Sequence, residues 1–264
     1  MRPMDLSYTE QGQGTPLVLL HGFPFNGSLW QHQMRSLSDA YRVIAPDLRG
    51  FGRSEAAEDI YEMTLLAQDV LHLLDTLAIK KAVIMGHSMG GYVTLALWRL
   101  AAERFSALGL IASHVWADSD AQRQGREQLI AQVMERGAAA VVEALLPRLF
   151  APKLRKDAPI VNQARTMMLA ARPTSLTSAL RGMMRRPDSS DLLPQIAVPT
   201  LIICGDSDPI VPPERAEQMA RLLPNATLVT IENAAHMPML EQPQATATAI
   251  RHFLAAIRHP HAER

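Results

Sequence analysis

The stretch Ala82-Val83-Ile84-Met85-Gly86-His87-Ser88-Met89-Gly90-Gly91 constrains this chain more than any other. Its first residues predict a buried strand, and the segment 92–104 that follows predicts a helix. A Gly-x-Ser-x-Gly turn caught between strand and helix forces the serine into a strained backbone conformation and stands its hydroxyl at the carboxyl edge of a sheet. Glycine at 86 and 90 removes side chains that would collide with neighbouring backbone. The start of the helix favours negative charge developing beside it. Ser88 is therefore the candidate nucleophile.

Such a strand needs a sheet around it. Short apolar, β-branched runs at 17–20, 42–45, 82–85, 107–111, 200–204 and 226–231 alternate with helix-period segments, the pattern of an α/β fold with a mostly parallel sheet covered on both faces. Thr64 is the expected N-cap of a helix reaching residue 77, with Leu66, Val70, Leu73 and Leu74 on its apolar face. Pro212-Pro213 and Pro243 open two later helices. Residues 6–10, followed by Gln11-Gly12-Gln13-Gly14, predict an edge hairpin antiparallel to the strand at Leu17. The polar tail, 259–264, is expected to fray.

Between 114 and 190 the strand pattern stops. Ala/Leu/Arg/Gln-rich segments there are interrupted by Gly125, Gly137, Pro147, Pro152, Pro159, Pro173 and Pro187. A stretch this long does not survive as a structureless loop. Residues 1–113 and 191–264 are thus expected to form the core, and 114–190 a cap of short helices inserted between core strands.

Composition narrows the partner. At roughly 100–200 residues per domain, 264 residues suit one large domain with an insertion. The 26 Lys plus Arg balance the 26 Asp plus Glu, so nothing supports nucleic-acid binding or a polybasic membrane anchor. The single cysteine, Cys204, has no partner for a disulfide or a shared zinc. The N-terminus lacks the apolar region of a secretory signal and no run approaches a membrane span. A cytoplasmic protein with a small-molecule partner is the expectation; no sequence feature fixes its oligomeric state.

A serine hydroxyl is a weak nucleophile near neutral pH, so it needs a base and a group that orients the base. Nine histidines are available. His87 is adjacent to Ser88 and should leave the turn in another direction. His72 and His252 fall in amphipathic helices, as solvent or packing residues. His21 follows a strand, and His236 stands on a short loop after the last one. Asp206 and Asp208 both lie just past the strand ending in Cys204. The oxyanion of an acyl-transfer transition state needs preorganised donors, each worth about 3–4 kcal/mol in a well-studied protease. The N–H of Met89, next after the nucleophile, is one.

These motifs resemble the α/β-hydrolase superfamily. The resemblance runs from His21-Gly22-Phe23-Pro24 through Pro46-Asp47-Leu48-Arg49-Gly50-Phe51-Gly52-Arg53-Ser54 and the serine turn. It continues to Gly205-Asp206-Ser207-Asp208-Pro209-Ile210-Val211-Pro212 and Ala235-His236-Met237-Pro238, covering both flanks of the insertion. It implies the chain order nucleophile, acid, histidine. Ser88, Asp208 and His236 then form the triad, Phe23 N–H is the second oxyanion donor and His21 takes a structural role. Asp206 is left as a turn residue holding backbone N–H groups. Ser88 argues against relatives that dehalogenate or open epoxides with an Asp nucleophile. His87 stands where carbon–carbon hydrolases often have Asn. The cap lacks the acidic character that iminopeptidase-like relatives need. The mechanism needs no metal or cofactor, and neither Gly12-Gln13-Gly14 nor Gly50-Phe51-Gly52 fits a dinucleotide or phosphate loop.

Residues 114–190 hold 12 Lys plus Arg and 7 Asp plus Glu, a net of +5 over a core of −5. This charge either docks the cap on the core or draws anionic acyl substrates inward. Met134, Met167, Met168, Met183 and Met184 in the cap, with Met89, Met237 and Met239 near the candidate site, either pack or line an adaptable pocket. His114, Trp116 and Met237 are candidate pocket residues. The expected activity is hydrolysis of a carboxylic ester with a small or medium acyl group. A lactonase resembling enol-lactone hydrolases is an alternative, and a ligand sensor with slow turnover is another of a different class. Cofactor-free perhydrolysis, with peroxide replacing water, is a side activity compatible with the same residues.

Overall fold

The computed structural model describes residues 3–57, 60–154 and 156–258. Its strands are β1 (Tyr8–Gln11), β2 (Thr15–Leu20), β3 (Tyr41–Pro46), β4 (Ala82–His87), β5 (Phe105–Ile111), β6 (Thr200–Gly205) and β7 (Ala226–Ile231). They form one sheet in the order β1-β3-β2-β4-β5-β6-β7. Every neighbouring pair from β3 to β7 is parallel, and β1 is antiparallel. The central strands are buried on both faces, which is why β4 and β6 read as unbroken apolar runs rather than alternating ones.

Helices cover both faces: α1 (Gln31–Leu37), α2 (Met63–Thr76), α3 (Met89–Ala101), α8 (Pro213–Leu222), α9 (Pro238–Glu241) and α10 (Pro243–Arg258). Between β5 and β6 lie α4 (Asp120–Arg136), α5 (Ala138–Leu149), α6 (Pro159–Leu169) and α7 (Pro173–Arg185), followed by a 3-10 turn, Ser190–Gln195. Two prolines read as interruptions, Pro159 and Pro173, begin helices, since a first-turn proline loses no intrahelical hydrogen bond. Gly125 interrupts nothing: α4 runs through it, held at its start by a reciprocal cap between Ser119 and Gln122. Among the described residues no helix is long and apolar enough to cross a membrane.

Three expectations change. β1 pairs with β3, Tyr8 opposite Pro46 and Gln11 opposite Val43, and not with β2. β2 already carries parallel partners on both sides, β3 and β4, and has no free edge for a hairpin. Helix α2 starts at Met63 with Glu62 as its N-cap, which puts Thr64 inside the first turn; Leu66 N–H donating to Glu62 O closes that turn. The helix after Ser88 begins at Met89 and ends at Ala101, with residues 102–104 tightening into a 3-10 turn. The expected fraying of 259–264 lies outside the described residues.

Several of the insertion's arginines are engaged in docking and internal pairs. Arg172 donates to the carbonyls of Gly50 and Ser54, Arg148 to that of Pro209, and Arg185 pairs with Glu62. Arg126 and Arg186 share the buried carboxylate of Asp118, and Arg136 pairs with Glu143. Met168, Met183, Met89, Met237 and Met239 are buried in the apolar core, whereas Met134 is 73% exposed.

Candidate active site

Ser88 sits between the end of β4 and the start of α3 with φ 49° and ψ −115°. That left-handed backbone is rare outside glycine and marks a strained position. It persists because its surroundings fix it. Ser88 N–H donates to Ile111 O at 3.0 Å, and Ser88 O accepts the Ser113 hydroxyl at 2.8 Å, so the end of β5 braces the turn. A Cβ at Gly86 would lie 2.1 Å from Gly90 O, and one at Gly90 would lie 2.4 Å from Leu20 O. Both contacts are backbone and cannot yield.

Asp208 follows β6 and His236 follows β7, and both are 3% exposed. Asp208 Oδ1 accepts the N–H groups of Ile210 and Val211 at 2.8 and 3.0 Å, while Oδ2 lies 2.8 Å from His236 Nδ1. A carboxylate offers only acceptors, so in a neutral imidazole the proton sits on Nδ1 and Nε2 is left as an acceptor. Nε2 lies 3.0 Å from Ser88 Oγ, positioned to accept the hydroxyl proton. Ser88 itself is half-buried. The three residues come together across chain separations of 28 and 148.

Asp206 instead accepts the Asn233 N–H and the Ser207 hydroxyl, at an exposed turn. His72 pairs with Asp5 at the surface. His21 is fully buried, with Nδ1 3.0 Å from Gly22 O and Nε2 2.9 Å from Leu48 N. The second contact requires an acceptor, so Nδ1–H donates to Gly22 O. Burial lowers His21 to about 4, partly opposed by the Gly22 bond and Asp47. A neutral imidazole thus staples the turn that carries Phe23, whose ring packs edge-on against Phe51. Met89 is the first residue of α3, where N–H groups have no acceptor within the helix.

His114 and Trp116, just past β5, stack with ring centres 6.0 Å apart. His114 Nε2 lies 3.1 Å from the Tyr92 hydroxyl, and burial, then Arg186 and Arg215, lower its pKa to about 3. Arg215 covers the Trp116 ring at 4.4 Å and Arg186 the Tyr92 ring at 4.1 Å. Met237 has no exposed surface and caps the short helix α9.

Two further contacts at the site have no local signature in the sequence. His87 donates from Nε2 to His236 O at 2.8 Å, and burial followed by His236 drives its pKa well below the usual range. Ser113 braces Ser88. Both are long-range pairings that no local pattern encodes.

A family model described as alpha/beta hydrolase fold matches residues 15–243. The chain belongs to the α/β-hydrolase fold family. Among solved α/β-hydrolases it is similar to a thermophilic esterase from Thermogutta terrifontis, solved with malate bound, at 37% identity and a TM-score of 0.93, covering 96% of this chain and 93% of that one. Among curated relatives it is 30% identical to 3-oxoadipate enol-lactonase 2 of Acinetobacter baylyi, over 93% of this chain and 91% of that protein. It is 28% identical to a pimeloyl-acyl-carrier-protein methyl ester esterase of Aeromonas hydrophila, over 95% of this chain and all of that protein. Ester hydrolysis of the α/β-hydrolase kind is the activity these likenesses support.

Proposed function

We propose that this chain is a cofactor-independent serine hydrolase acting on carboxylic esters of small to medium acyl groups, in the cytoplasm. The observation that carries the reading is the hydrogen-bonded series from Asp208 through His236 to the half-buried hydroxyl of Ser88. Ser88 Oγ attacks the ester carbonyl as its proton passes to His236 Nε2. Phe23 and Met89 N–H groups meet the oxyanion. Asp208 stabilises the imidazolium, which then gives its proton to the leaving alcohol. Water attacks the acyl-enzyme by the same route and frees the acid and Ser88. Residues 114–190 act as a cap on a core of 1–113 and 191–264, with His114, Trp116 and Met237 contributing to the pocket.

The test is turnover of a panel of esters differing in acyl length and charge, without added cofactor or partner protein. Repeated turnover of short neutral esters is expected; a single slow turnover would favour a sensor. A lactonase is the second reading, favoured by the Arg215 guanidinium over Trp116, a cationic edge that suits a lactone bearing a carboxylate. Such a substrate should lose kcat/KM with rising salt faster than a neutral ester does. Equal salt responses would remove that reading.

A further inference from the structure

Helix α5 ends at Leu149, and Phe150 leaves it in extended backbone, φ −119° and ψ 151°. The last carbonyls of a helix have no N–H donor within it, so Leu149 O must be satisfied from outside. Its partner is the N–H of His236, at 3.1 Å. Two residues on, Ala151 N–H donates to Glu241 Oε2 at 2.7 Å, and the other oxygen of the same carboxylate, Oε1, accepts Ala235 N–H at 2.7 Å. Ala235 directly precedes His236. Leu149, Ala151 and Ala235 are all buried.

The insertion and the histidine loop are therefore joined by a closed set of bonds. One runs directly from backbone to backbone, and two pass through one side chain that bridges N–H groups 84 positions apart by sequence number (235 − 151). The opposite end of the His236 residue is held from the serine turn, by His87 Nε2–H on His236 O. Burial raises the Glu241 carboxyl above its ordinary range, and Asp208 adds to this, while the N–H groups of Ala151, Ala235 and Met237 pull it back.

We infer that Glu241 is a positioning residue that couples the docking of segment 149–151 to the orientation of His236. The imidazole faces Ser88 only while that end of the insertion is seated. This rests on the reading of His236 as the base, but the coupling itself can be tested apart from it. In the wild-type protein the amides of Ala151, Ala235 and His236 should show native-state hydrogen-exchange protection within about threefold of one another, as members of one opening unit. Protection differing by more than tenfold between Ala151 and Ala235 overturns the coupling.

The Glu241→Gln variant keeps the size of the side chain but turns an amide NH2 toward one of the two donors. It should lose protection at Ala151 and Ala235 together. Its kcat per titrated active site should fall about 10- to 100-fold, the scale of a small displacement of a catalytic group. KM should stay within about threefold, and the acid limb of the kcat/KM profile should move. Glu241→Asp, which keeps both acceptors on a shorter stem, should recover part of the loss. A lower Tm with unchanged kcat per site and an unchanged pH profile would make Glu241 structural only. Failure of the wild type to form an acyl-enzyme would sink the reading of His236 and leave the exchange result standing.

Discussion

Asp208 holds His236 with one carboxylate oxygen and its own loop with the other: Oδ2 lies 2.8 Å from His236 Nδ1, while Oδ1 takes the N–H groups of Ile210 and Val211. The carboxylate is thus fixed before it fixes the imidazole. Asp208→Asn should keep the fold and substrate affinity but present an amide NH2 where Nδ1–H needs an acceptor, favouring the wrong tautomer. A fall in kcat of about 10³- to 10⁴-fold with little change in KM is expected. A loss under tenfold would mean that the acid lies elsewhere.

The serine turn should tolerate no methyl group at its glycines. In Gly90→Ala the added Cβ, on helix α3, would approach Leu20 O of strand β2 at 2.4 Å, and both residues are buried. The expected result is loss of soluble folded protein, or folded protein with activity down at least 100-fold, read by circular dichroism and ester turnover. Near-wild-type behaviour in both would show that the turn is not held as described.

Asp118 is the anchor of a buried ion cluster, 2.7 Å from Arg126 Nε and 2.7 Å from Arg186 Nη1. Burial works against its charge, yet the two guanidinium groups hold its carboxyl below the ordinary range. Asp118→Ala leaves Arg186, whose side chain is 4% exposed, without the carboxylate it pairs with. The loss should be about 3–5 kcal/mol by urea denaturation. A change below about 1 kcal/mol would show that the cluster is not needed to hold the insertion's root.

Three histidines with lowered pKa values, the buried His21 and His87 and the half-buried His114, give the fold a definite pH dependence. His21 and His114 stand at about 4 and about 3 because burial disfavours their charged forms. The unfolded chain takes up these protons near pH 6.5, while the folded chain resists until well below. Their contribution is complete above about pH 6.5 and is lost as pH falls toward the folded values. Each adds a slope of up to about 1.4 kcal/mol per pH unit in that window. Urea denaturation between pH 5 and 6.5 should show a shallower slope for His114→Gln than for wild type. Identical slopes would contradict a His114 ring kept neutral by desolvation.

The legible parts of this molecule were those written in local pattern. The β4 run, the turn glycines and the helix behind them place Ser88 without any long-range information, and the prolines at 213 and 243 mark their helices. The partner of β1 was not legible, because Leu6 to Glu10 would pair equally well with any edge, and the edge belongs to β3 only once β2 lies between β3 and β4. The contacts of His87 with His236 and of Ser113 with Ser88 join residues far apart in sequence, and Glu241 links its near neighbour Ala235 to the distant Ala151. The cap's charge was visible as a sum, but its use was not. Only the positions of Gly50 O, Ser54 O, Glu62 and Asp118 show that Arg172, Arg185 and Arg186 are committed to docking and internal pairs.

The central claim is that Ser88 forms a covalent acyl-enzyme with help from His236. Intact-protein mass spectrometry after brief exposure to an activated ester, quenched in acid, measures this directly. The wild type should gain one acyl mass, mapped by digestion to the peptide containing Ser88, and the adduct should decay as product forms. Ser88→Ala should gain none and show no burst. An adduct on another residue, or burst kinetics retained in Ser88→Ala, would contradict the account.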